Sequence, residues 1–127
     1  MKRTAIVTAV VLLTCLIACA ASMWTLNRLL DEAHDMSVEI FTAMENGNIS
    51  HARETLVALA TLWDDHAVML EMLCDHEDLH NVKERIIQAE ICIEYTDMED
   101  FYSTVALIGE GLEHIRDQEG LTWTNLL

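Results

Sequence analysis

The stretch Cys74-Asp75-His76-Glu77-Asp78-Leu79-His80 holds two histidines four residues apart with a glutamate beside the first. On a helix this spacing can turn both imidazoles toward one metal ion while the glutamate polarises a bound water, the chemistry of a zinc hydrolase. That chemistry also needs a third ligand, an open coordination position and a cleft for substrate. Glu94, Glu99 and His114 could supply the ligand, but none stands at a diagnostic spacing. With Leu79, Val82, Ile86 and Ile93 as the core face, His76 lies about 100° and His80 about 140° from its centre, so both look away from the core. Ile87 and Ile91 share their side of the helix, which marks it as a surface able to meet the preceding segment, the tail or a partner. We therefore expect no catalysis, no cofactor and no bound metal, with His76 and His80 as ligands only under the alternative of a membrane-tethered zinc hydrolase. His76, preceded by Asp75 at a helix-helix turn, reads as a cap of the third helix or its neighbour, with the carboxylate at the helix N-terminus favoured by the dipole.

The elements that must position this segment are helical. Proline is absent and glycine occurs four times, at Gly47, Gly109, Gly111 and Gly120. Apolar residues recur at steps of three and four, which is helical periodicity. Residues 29–45 place Leu30, Ala33, Ser37, Ile40, Phe41 and Met44 at that spacing, and Asn46-Gly47-Asn48 then stops the helix, with Gly47 suited to the left-handed position beyond its end. A second helix over about 50–74 carries Leu56, Leu59, Trp63, Leu70 and Leu73, with Trp63 in the core. A third spans about 77–95, and Thr96 with Glu99 reads as the capping box of a fourth carrying Phe101, Val105, Ile108, Leu112 and Ile115. Gly109 and Gly111 inside that stripe imply close approach of a neighbouring helix. The tail Leu121–Leu127, with Trp123 and Asn125, is apolar enough to dock on the bundle. Short connections favour antiparallel neighbours, so residues 50–118 are expected to form an up-down three-helix bundle.

Residues 4–26 carry no charge and follow Met1-Lys2-Arg3. At 1.5 Å per residue they reach roughly 34 Å, enough for a hydrocarbon core of about 30 Å. The expected architecture is all-α, with an N-terminal transmembrane helix over residues 1–28 running on into a stalk, and an acidic helical domain over residues 29–127. The basic start places the N-terminus in the cytoplasm and the domain outside, as a single-pass protein of the plasma membrane. Two rivals are a cleaved signal and a lipoprotein anchored at Cys19, whose Leu16-Ile17-Ala18-Cys19 resembles a lipidation box. Lipid contact is assigned to residues 4–26.

Beyond that leader the chain holds 22 acids and five bases, a formal charge of −17. Such a surface repels phosphate backbones, which excludes nucleic acid as a partner. Asp64-Asp65 and Asp97-Glu99-Asp100 lack the glycine and ligand spacing of a calcium loop. No nucleophile motif and no phosphate loop is present. Cys74 and Cys92 stand at opposite ends of the third helix, too far apart along it to bridge.

The order of these features, a basic start, a membrane helix, Trp63, Asp75-His76, Asp78-Leu79 and a closing Asn125-Leu126-Leu127, resembles domain-of-unknown-function family 4363, small membrane-anchored helical proteins of Gram-positive bacteria. The resemblance implies a fold and a location, and no catalytic residues. In that family an acid stands where this chain has His80, and the position of Glu77 is free, so part of the zinc-like match is local to this sequence. The functional expectation is a protein-interaction or structural module that binds a protein partner or a second copy of itself. Trp63, Asp75, His76, Asp78, Ile87, Ile91 and Asn125 are its candidate interaction or structural residues.

Overall fold

The computed structural model describes residues 1–126, with side chains described as far as residue 118. Five helices follow in order: α1 (Lys2–Glu45), α2 (Ile49–Asp65), α3 (Ala67–Leu73), α4 (His76–Glu94) and α5 (Met98–Leu126). Among the described residues there is no strand.

The first half of α1 is long and apolar enough to cross a membrane, and among the described residues its most apolar stretch is exposed. The same helix then continues unbroken into the core. Leu26, Leu29, Leu30, Ala33, Ser37, Ile40, Ala43 and Met44 are buried on one side. Burying each Leu or Ile contributes about 1.5–3 kcal/mol, against roughly 0–1 kcal/mol for an exposed ion pair, so packing sets where this half lies. The three bundle helices expected from the sequence are thus joined by a fourth, the continuation of the apolar helix.

The helices run up and down. Opposite α1 on α5 stand Arg116 paired with Asp31, Glu113 3.2 Å from His34, Gly109 against Ser37, and Tyr102 edge-on to Phe41 at 5.2 Å. Residue numbers rise on one helix as they fall on the other, so the pair is antiparallel. Between α4 and α5, Asp78 faces His114 at 3.6 Å and Arg85 donates to the Leu107 carbonyl at 3.1 Å, again antiparallel. Lys83 of α4 pairs with Asp64 of α2 and closes the ring of helices. A Cβ on Gly109 would stand 3.4 Å from the Ser37 hydroxyl oxygen, and one on Gly111 would stand 3.1 Å from a Val82 methyl. The two glycines therefore admit different neighbours, α1 and α4.

Two expectations need correction. The helix expected over 50–74 divides at His66, where φ is −107° and ψ 11°. The His66 Nδ1 lies 2.9 Å from the Leu62 carbonyl oxygen, to which it donates, while the His66 amide donates to Asp64 instead. The imidazole thus occupies the acceptor that the helical amide would use. The cap of α5 is Asp97, not Thr96: the Asp97 carboxylate accepts from the Asp100 amide at 3.4 Å, and Thr96 takes a left-handed φ of 57°. The expected docking of Leu121–Leu127, with Trp123 and Asn125, concerns side chains outside the described residues, although the α5 backbone is helical to Leu126.

Candidate interaction site at the start of α4

The site is built from a turn. Cys74 and Asp75 are extended, at ψ 163° and ψ 131°, and the Asp75 carboxylate accepts the Glu77 amide at 3.0 Å. This cap satisfies one amide that the first turn leaves unpaired, and Glu77 and Asp78 add negative charge where the dipole favours it. Helix α4 therefore starts at His76, and the register of every later residue follows from it.

That register separates the α4 residues singled out in the sequence into three places. His76 and His80 line an open groove of about 440 Å³ between α4 and the α2–α3 segment, together with Trp63, Asp64, Ala67, Leu70, Glu71, Leu79 and Lys83. Trp63, Leu70 and Leu79 are buried and make its floor. Asp64, Glu71, the two histidines and Lys83 supply a polar rim carrying both signs of charge. Asp78 lies on the opposite side of α4, against His114 of α5. Ile87 and Ile91 are 45% and 53% exposed farther along α4. Asn125 falls in the last turn of α5, and its side chain lies outside the described residues.

The chemistry of the groove follows from these groups. His76 and His80 share it, as the four-residue spacing requires. Of the candidate third ligands, His114 is engaged across the bundle with Asp78, while Glu94 closes the far end of α4 and Glu99 opens α5 beyond it. Among the described residues no three His, Cys, Asp or Glu side chains form a group able to hold a metal ion. An apolar floor with a charged rim suits the capture of an amphipathic side chain. Asp64 and Lys83 meet in the groove through the α2–α4 contact, which no local sequence signal announces, and Glu71 reaches it on α3, after a break at His66 that has no proline or glycine to mark it.

Cys92 is buried near the α4–α5 turn. Burial raises its thiol pKa first, Asp100 and Asp97 raise it further, and a hydrogen bond with Thr104 opposes them. The thiol is therefore held protonated and unreactive.

The architecture is an all-α bundle with a capped turn and a groove on its flank, and its first helix extends as an apolar rod long enough to cross a membrane. The chain belongs to the family described as "Domain of unknown function (DUF4363)", whose model matches residues 21–126. The match begins inside the apolar half of α1 and takes in the whole bundle. No curated protein and no solved structure matches the chain.

Proposed function

We propose that the chain is a single-pass membrane protein that presents its acidic bundle outside the cytoplasm as an interaction or structural module without catalysis. The observation that carries this reading is that Ile87 and Ile91 stay about half exposed after all the helices have packed their core faces. Two β-branched residues one helical turn apart on a charged helix are an anchor for a facing helix. The unbroken α1 would hold that face at a set height above the bilayer. Lys2 and Arg3 against the acid-rich bundle favour an inside N-terminus. A lipoprotein anchored at Cys19 would keep the bundle and shorten its tether to seven residues before Leu26.

Crosslinking of the full chain in membranes tests the reading. A protein partner or a dimer should be trapped, and Ile91→Glu should weaken that product while leaving circular dichroism unchanged. Recovery of monomer alone would remove the interaction role. The rival reading, a zinc hydrolase using His76, Glu77 and His80, rests on both histidines lining one groove. Stoichiometric zinc retained through dialysis and lost in His80→Ala would favour it.

A further inference from the structure

Helix α5 descends beside α1 toward the apolar half of that helix. Asp31 stands level with Arg116, His34 with Glu113 and Ser37 with Gly109, a register that holds over two turns. Helix α5 does not stop at this level, since its backbone is helical to Leu126, ten residues past Arg116. At 1.5 Å rise per residue this carries it about 15 Å farther down, to the level of Ala21. Ala21 lies inside the uncharged run of α1.

An independent feature of the sequence agrees with this geometry. On α1 the first charge after the apolar run is Arg28, and on α5 the last charge is Glu119. Extended by three residues, the register of the pairs 31/116 and 34/113 brings position 119 level with position 28. Charge thus ends at one height on both helices, and Gly120-Leu121-Thr122-Trp123-Thr124-Asn125-Leu126-Leu127 has none. The same register puts position 123 level with Trp24, at the depth where tryptophan favours the boundary between headgroups and hydrocarbon.

We propose that the C-terminal end of α5 is a second membrane-contacting element, its last two turns lying in the headgroup layer and the edge of the hydrocarbon beside α1. The proposal rests on α1 crossing the bilayer and deepens it, because the bundle then sits on the membrane through two adjacent helices instead of one. A single helix leaves the bundle free to swivel about its axis, whereas two adjacent contacts hold one flank toward the lipid. The groove at the start of α4 then keeps a constant orientation to the surface.

The test uses the full chain in phosphatidylcholine vesicles with and without brominated acyl chains, which quench tryptophan at the hydrocarbon edge. Trp24→Phe, Trp123→Phe and the double variant are compared, and the double variant reports Trp63 alone. Two tryptophans at equal depth predict that Trp24→Phe keeps about half of the quenching above that baseline, and that adding Trp123→Phe abolishes it. If Trp24→Phe already falls to the baseline while Trp123→Phe stays quenched, α1 spans the bilayer and the second contact is overturned. If Trp24 is not quenched in Trp123→Phe either, the membrane reading fails and takes this proposal with it. An unchanged helical circular dichroism spectrum in every variant shows that the bundle has folded.

Discussion

The turn between α1 and α2 and the turn between α4 and α5 use one backbone solution with different residues. In the first, the Asn48 amide donates back to the Ala43 carbonyl at 2.8 Å; in the second, the Asp97 amide donates to Cys92 at 2.9 Å. Each of these residues then opens the next helix, Asn48 accepting from the His51 amide at 3.2 Å and Asp97 from the Asp100 amide at 3.4 Å. The residue before each is left-handed, Gly47 at φ 74° and Thr96 at φ 57°. Glycine adopts this conformation freely, whereas a side chain pays about 1–2 kcal/mol for it. A hairpin of this kind needs the returning amide and the cap, and it tolerates a strained residue between them where the flanking helices pack well. Helices α4 and α5 do so, with Val82, Ile86 and Ile93 buried on one and Phe101, Val105 and Ile108 on the other.

Substitutions at the two turns can break or sharpen this equivalence. The largest effect is expected for Gly47→Val, which should lower stability by about 2 kcal/mol through backbone strain. Nothing lies within 4 Å of a Cβ built at Gly47, so a clash would not explain the loss. Chemical denaturation of the full chain in micelles, followed by circular dichroism, measures it, and a silent Gly47→Val would dissolve the comparison. Removing the caps comes next, with Asn48→Ala costing about 1 kcal/mol and Asp97→Ala less, because its bond is longer. Thr96→Gly should raise stability by about 0.5–1 kcal/mol, the relieved strain being partly offset by the greater freedom of glycine in the unfolded chain. An unchanged midpoint there would mean that Thr96 is not strained.

The smallest effect concerns pH. Cys92 and Ala43 hold equivalent places in the two turns, each accepting the returning amide. Because the folded thiol's pKa is raised above that of the unfolded chain, the stability it contributes is complete below the unfolded value and is lost as pH rises through the folded one. Cys92→Ala should therefore flatten the alkaline limb of the stability profile. Native Cys92 should react with a thiol reagent only as the bundle opens. Alkylation at the rate of an exposed thiol would contradict its burial.

Much of the fold was legible because helical periodicity is local. Of the stripes read from the sequence, Leu56, Leu59, Trp63 and Leu70, then Leu79, Val82, Ile86 and Ile93, then Phe101 through Ile115 are buried, whereas Leu73 is only partly buried and Phe41 of the first stripe is exposed. Gly47 and Asp75 were legible because a left-handed position and an N-cap each prefer few residue types. Thr96 was misread for the same reason: a threonine three residues before a glutamate fits a capping box, and only the backbone reveals that Asp97 takes that place. The division at His66 left no trace, since it depends on an imidazole reaching a carbonyl one turn back.

The candidate site was less legible than the fold. The four-residue spacing of His76 and His80 does bring them into one groove, but Asp64, Glu71 and Lys83 reach that groove through contacts between α2, α3 and α4. Asp78 follows His76 closely in the chain yet serves the α5 side, because 100° per residue carries neighbours to different faces.

Sequence by itself determined that this protein is helical, where most of its turns fall, which residues are apolar enough to seek a core, and that residues 4–26 can span a bilayer. Those properties come from side-chain chemistry and from a period that repeats within one or two turns. Tertiary structure alone decided that the second half of α1 joins the bundle, which neighbour each glycine admits, that α5 runs antiparallel beside α1, and which side chains share the groove. Each of these depends on the relative placement of helices far apart in the chain. A stripe shows that a helix has a face to bury, while the neighbour that covers it is selected by packing among all the helices at once.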